Sequence, residues 1–454
     1  MPHLQSGRAA APWEAFCATF PASGDGLPRD GDGLADALAV IVAAHGDGAE
    51  LVHSGRDRTP APCNYALLRR LSWDAVDASF FSATLPALVA AVHALSQHYP
   101  DADAAPAQVD AAGDSTAATY TNVLALVGAA FFSLFPAETG FSLAPIFSMR
   151  ANKAKAYAVV EYFARSLHDP PRHGSLSVSR IAMPDAEIPD WANAQDIHMA
   201  TASVAIFDSG NIEDNGGAAG MVLADFANRF LGGAVLTHGA VQEEIYFGVV
   251  YPQLLVARLL APRPMTAEEV IVMEGAERFC NYSGYAQTLK FAGSHVDGSP
   301  RHPESGSFLT RIVAFDALPF YCREDAKAQW SRACIDRELR KALTAFARHR
   351  SDPEELPPVA TGNWGCGAFG GCKQLKALLQ WMAAAAAGRP LAYFTFGDVE
   401  LAEAFEATVA TVVANSATVA DLYSWTCSYG ASIGTLSSGR DLLNYVAQRA
   451  MASA

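Results

Sequence analysis

Charge is scarce in this chain, and positive charge scarcer still: charged residues fill 17% of its 454 positions, and 32 Lys and Arg face 47 Asp and Glu for a formal balance of −15. No basic run is long enough to make an electrostatic footprint for DNA or RNA, so direct nucleic-acid binding is not expected. A polyanionic substrate would have to be read locally, by backbone N–H groups and a few side chains. Long apolar runs are missing too. No window approaches the ~18 unbroken apolar residues of a membrane helix, which excludes a spanning helix and argues against a membrane role. The opening MPHLQSGRAAAPWEAF has a lone Arg8 and no apolar block, so it does not read as a signal peptide; its first residues read as a tail or an expression remnant. The expectation is a soluble intracellular protein. The cysteines at 17, 63, 280, 322, 334, 366, 372 and 427 contain no CxxC pair and no zinc-type spacing, so no metal, no cofactor and no disulfide framework is expected. No internal repeat of useful length is present.

What is present is apolar residues, 51% of the chain, arranged in two textures. Residues 34–45, 86–97, 119–135 and 152–167 carry them at helical spacing, and 100–118, rich in Ala, Asp and Pro, reads as a surface loop between helices. This predicts a mainly helical accessory region over 1–197. From about residue 198, short apolar runs at 200–207, 220–224, 268–274, 311–317, 358–364 and 391–397 alternate with helical patterns at 242–260 and 373–388. The second of those helices should stop at Gly388, ahead of Pro390. Alternating strands and helices over 198–454 predict an α/β core with ligands at the strand ends.

Three segments are candidates for chemistry. In DFANRFLGGAVLTHGAVQEE, residues 225–244, a strand runs into Gly232-Gly233 and then to Gln242-Glu243-Glu244 opening a helix. Glycines let the backbone approach a diphosphate without any lysine, and a helix start adds partial positive charge. The same pattern also serves a plain turn, because glutamates favour the first helical turn for structural reasons. ATGNWGCGAFGG at 360–371 holds five glycines among twelve residues around Phe369, suited to close backbone contact or to a turn alone. LAYFTFGD at 391–398 can present Phe396 to a base, or bury it in the core.

Together with NYSGYAQT at 281–288, these strings resemble poly(ADP-ribose) glycohydrolases of the eukaryotic type, in the family's order and approximate spacing over roughly residues 120–400. The resemblance implies a macrodomain-like mixed sheet flanked by helices, and hydrolysis of poly(ADP-ribose) to ADP-ribose. It puts the family's paired glutamates on Glu243 and Glu244, the second as catalytic acid–base, with Asp225 and Asn228 nearby. Tyr285 would pack beside the adenosine and Phe396 stack on adenine. Phe369 would sit in a mobile loop (Gly365, Cys366, Gly367, Ala368, Gly370) that contacts ribose and diphosphate. Gln242 and the Ile212-Glu213 pair would make adenine-side contacts, with a two-residue insertion after Asn215. The implied partners are poly(ADP-ribose), ADP-ribose and ADP-ribosylated proteins. The implied setting is the DNA damage response in nucleus or cytoplasm, with the enzyme as a monomer.

Two departures stand out. The family has a third successive glycine where this chain has Ala234, and an acidic residue where it has Cys372. If position 234 needs φ > 0, Ala costs roughly 1 kcal/mol; if only its N–H is used, the methyl is tolerated and activity is retained. The implied chemistry is protonation of the departing ribose oxygen by Glu244 and then activation of water. Glu243 and Asn228 would hold ribose hydroxyls, Asp225 would buttress them, and the backbone of Gly232, Gly233 and 365–371 would take the diphosphate. Adjacent helical side chains point ~100° apart, so the two glutamates are not expected to converge on one oxygen. The rivals are a non-catalytic ADP-ribose-binding macrodomain and a cysteine hydrolase using Cys366 with His238 as base. Removal of the last, protein-linked ADP-ribose would use the same pocket.

Overall fold

The computed structural model describes residues 10–45, 63–98, 107–136, 139–168, 173–215, 220–349, 352–432 and 441–453. The opening tail, part of the 100–118 segment and the insertion after Asn215 fall outside the described residues. The chain divides into two compact units, the first made of Met1–Ser179, Phe230–Pro264 and Met273–Leu309, the second of Arg180–Arg229, Met265–Val272 and Thr310–Ala454. Each unit gathers separate stretches of the chain. The physical reason is that residues 230–264 and 273–309 pack with the N-terminal helices.

In the first unit the helical spacing yields α1 (Ala10–Thr19), α2 (Gly31–Ala43), α3 (Leu85–His98), α4 (Tyr120–Phe131) and α5 (Lys153–His168). Asp30 caps α2 by accepting from the Gly33 N–H at 2.8 Å, and Thr119 caps α4 by accepting from Asn122 at 3.2 Å. Gly128 lets α4 close on α3, where a Cβ would stand 2.8 Å from Leu88 Cδ1. Part of the expected 100–118 loop is instead a strand, β1 (Ser115–Thr119), paired antiparallel with β2 (Ser175–Ala182). Its alternating burial is the period-2 signal that its Ala-rich composition obscured. The expected helix at 242–260 is broken. It starts as α6 (Gln242–Ile245), widens to a π turn over Tyr246–Val250, and restarts at Pro252, which has no N–H to continue the ladder.

The second unit holds the parallel strands β3 (Val204–Phe207), β4 (Val222–Asp225), β8 (Arg311–Ala314), β9 (Val359–Gly362) and β10 (Leu391–Phe394). With β5 (Glu269–Glu274), the mixed sheet has the order β1-β2-β5-β8-β4-β9-β10-β3, while β6 (Cys280–Ser283) and β7 (Lys290–Ser294) form a separate antiparallel hairpin. β4, β9 and β10 are buried along their whole length, as parallel strands covered on both faces must be. Helices α7 (Arg332–Phe346), α8 (Lys373–Ala387), α9 (Val399–Ala414), α10 (Val419–Ser432) and α11 (Leu442–Ser453) contribute to one core with Trp364, Trp381, Phe315 and Phe405. α8 ends where the sequence predicts, with Gly388 in the left-handed region at φ +62°.

Candidate active site

In the first unit the 230–245 segment folds around two carboxylates. Gly232 and Gly233 take φ of +82° and +48°, which favours glycine at both positions. The Gly232 N–H donates to Glu243 Oε1 at 2.6 Å, the Ala234 N–H to Glu244 Oε1 at 3.0 Å, and the Val241 N–H to Glu244 Oε2 at 3.0 Å. The Gly233 N–H is taken by the Phe230 carbonyl at 3.0 Å. These N–H groups are engaged within the 230–245 segment. What the glycines do is admit the carboxylates: a Cβ on Gly233 would stand 2.5 Å from Glu244 Oε1 and 2.7 Å from Glu243 Oε2. Gly239 makes room in the same way, 2.7 Å from Glu244 Cδ. Both glutamates are buried. Each places an oxygen beside Gly233.

Tyr285 lies in the turn of the β6–β7 hairpin, which the Ala286 N–H ties to the Ala240 carbonyl at 3.0 Å. The residue is 52% exposed. Its hydroxyl end nonetheless faces this cluster: burial and the Glu244 charge push the phenol up, and the Gln242 N–H draws it down. His238 is exposed.

Two buried cations beneath the loop were not singled out by sequence reasoning. Arg258 Nη1 donates to the carbonyls of Leu231 at 2.9 Å and Gly233 at 3.0 Å. Lys155 Nζ donates to Val235 O at 2.8 Å, Thr237 O at 3.0 Å and Asn152 Oδ1 at 3.0 Å. Burial draws the Lys155 ammonium down to about 7 against the pull of Glu244, and Arg258 down to about 10 against Glu243 and Glu244. Gly248 gives Lys155 its path, since a Cβ there would stand 2.9 Å from Lys155 Cγ. The available signal was a lone charge in an apolar run, Arg258 within LLVARLLA, and Lys155 on a helix face shared with Ala158, Val159 and Tyr162.

In the second unit the remaining candidates follow the C-terminal ends of neighbouring parallel strands, where ligands bind open α/β sheets. Ile212 and Glu213 follow β3 and are buried; Asp225 ends β4, fully buried, with Asn228 half-buried just beyond. The glycine-rich loop follows β9 and closes on itself through Gly371 N–H to Gly365 O at 2.9 Å. Phe369 is half-buried there, its ring 6.1 Å from that of Tyr321, while Gly367 and Ala368 are exposed. Gly365 must be glycine, at φ +72° with Ala317 Cβ 2.5 Å from where its own Cβ would lie. Beneath the loop, Lys376 pairs with Glu338 and stands 3.8 Å over the Trp364 ring. Phe396, after β10, is 42% exposed and held at φ +56°, an uncommon conformation for a large side chain. It is presented at the surface and is not a core aromatic. Gly362 lies under its ring, with room for no Cβ: Phe396 Cε2 would be 2.7 Å away.

Cys366 donates to the Trp364 carbonyl at 3.4 Å, and burial pushes its thiol well up, which disfavours the thiolate a nucleophile needs. Cys372 precedes α8 with its thiol likewise raised by burial. Among the described residues no three His, Cys, Asp or Glu side chains are grouped to hold a metal ion.

Residues 188–403 match the family described as "Poly (ADP-ribose) glycohydrolase (PARG), Macro domain fold". Poly(ADP-ribose) glycohydrolase 1 of Arabidopsis thaliana is 31% identical over 388 residues, 68% of this chain and 68% of that protein. A second Arabidopsis protein, named probable poly(ADP-ribose) glycohydrolase 2, is 30% identical over 66% of each chain. Poly(ADP-ribose) glycohydrolase 1 of Caenorhabditis elegans is 34% identical over 64% of this chain, which spans 37% of the worm protein.

Proposed function

Because the chain belongs to the poly(ADP-ribose) glycohydrolase family, we propose that it hydrolyses the ribose–ribose O-glycosidic bonds of poly(ADP-ribose) and releases ADP-ribose, with Glu244 as acid–base residue. Family membership makes it a glycosidase. Glu244, protonated, gives its hydrogen to the departing ribose oxygen as the C–O bond breaks, leaving an oxocarbenium-like sugar. The resulting carboxylate then takes a proton from the water that adds to that carbon, and the acid is restored. Glu243 holds a ribose hydroxyl beside it. In the second unit, Phe396 offers its ring to adenine and the exposed 367–368 backbone meets the diphosphate.

The observation that carries this reading is the pair of buried carboxylates held by the Gly232 and Ala234 N–H groups, on either side of a glycine whose missing Cβ leaves room for their oxygens. The test is ADP-ribose release from defined polymer by wild type beside Glu244→Gln. The variant should lose at least about 100-fold in kcat, the scale of a lost general acid. Its affinity for ADP-ribose, measured by calorimetry, should stay within a few-fold. Turnover by Glu244→Gln within tenfold of wild type sinks the assignment, and a wild type that binds but releases nothing marks an ADP-ribose reader.

A further inference from the structure

We infer that Arg258 and Lys155 are positioning residues for the Glu243–Glu244 pair, acting through the peptide planes of the 231–238 loop; this rests on the hydrolase reading above. In a trans peptide the carbonyl of one residue and the N–H of the next point in opposite directions across the same rigid plane. Arg258 Nη1 takes the carbonyls of Leu231 and Gly233. The N–H groups of those same two planes, on Gly232 and Ala234, are the donors to Glu243 Oε1 and Glu244 Oε1. One guanidinium therefore orients both donors from behind. Lys155 holds the next two alternate carbonyls, Val235 and Thr237, and so fixes the stretch of loop between the Ala234 and Val241 donors to Glu244. Hydrogen bonds in such a chain polarise one another, so the Arg258 guanidinium behind its two planes also strengthens the N–H grip in front.

Without the cations, four buried carbonyls lose their donors, and the two planes that present N–H groups to the carboxylates are free to tilt. The glycines make that tilt easy, since both sit in left-handed conformations with no side chain to oppose rotation. The carboxylates would then lose a fixed aim while the rest of the fold stays intact. Neither cation touches substrate in this scheme; both act through the backbone.

The test compares wild type, Arg258→Met and Lys155→Met in polymer hydrolysis, with ADP-ribose affinity and thermal melting measured on each. Expected is a fall in kcat of about 100-fold for Arg258→Met and about tenfold for Lys155→Met, the range for lost supporting hydrogen bonds. ADP-ribose Kd should stay within about threefold, so the loss falls on turnover and not on binding. Arg258→Lys, which keeps the charge, should retain more of kcat than Arg258→Met. Wild-type kcat in both Met variants overturns the inference, and so does a loss in which Kd weakens in step with kcat. Should Arg258→Met fail to fold, Lys155→Met decides on the same two criteria. A wild type that releases no ADP-ribose fells the functional reading and this inference with it; an active wild type with unimpaired variants fells the inference alone.

Discussion

Gly233 and Ala234 are neighbours under opposite constraints. At Gly233 the backbone lies at φ +48° and two carboxylate oxygens stand within 2.7 Å of a would-be Cβ, so strain and collision add. Ala234 is not among the described non-glycine residues with positive φ, and its N–H alone serves Glu244. The alanine that replaces the family's third glycine therefore carries no left-handed penalty. Gly233→Ala should displace both glutamates and lower kcat by about 100-fold or more, with a further left-handed cost of about 1–2 kcal/mol in stability. Ala234→Gly should leave kcat within about threefold and lower stability by about 0.5–1 kcal/mol, through the freedom it gives the unfolded chain. Denaturant titration beside steady-state rates separates the two; equal kcat losses in both variants would refute the distinction.

Elements were legible in this sequence where periodicity was strong. α3, α5 and α8, and the buried runs of β4, β8, β9 and β10, lie within a few residues of their expected bounds. Periodicity could not foresee the break in 242–260, because Pro252 sits inside an otherwise unbroken apolar pattern. Nor could it separate a buried cation from a solvated one: Lys155 and Arg258 carry no local mark beyond apolar neighbours. The glutamates and glycines were legible from their residue types, but the direction of their N–H groups was not, since that depends on what lies behind each peptide. α5 carries the clearest pH signature of this arrangement. The Lys155 ammonium, ordinarily near 10.5, is drawn to about 7 in the folded chain. Between those values the unfolded chain holds a proton that the folded chain has released, so stability rises with pH across that window. Below about 7 both states are protonated and the burial penalty is felt in full. The expected outcome is that the stability of wild type, measured by urea unfolding and referred to Lys155→Met, climbs from about pH 7 towards 10.5. A flat difference would show that the ammonium keeps its proton across the window.

At the scale of the whole molecule, a chain of net charge −15 is proposed to act on a polymer carrying two negative charges per repeat. The long-range term is then repulsive, and affinity must come from short-range contacts, those proposed being an aromatic face at Phe396, backbone N–H groups, and carboxylates meeting ribose hydroxyls. Salt screens repulsion over a length of about 10 Å at 0.1 M, leaving contacts made at hydrogen-bond distance largely intact. A basic polyanion binder behaves in the opposite way, losing about 10³-fold or more in affinity between 50 and 200 mM salt as counterions cease to drive binding. Raising sodium chloride over that same range should therefore leave the KM for polymer unchanged or lower it, while kcat stays constant. The free nucleotide ADP-ribose, with far less charge to repel, should show a weaker response than long polymer, so the benefit of salt should grow with chain length. A KM that climbs steeply with salt would mean that a local cluster of cations holds the polymer despite the overall balance, and recognition by stacking and backbone contacts would have to be abandoned.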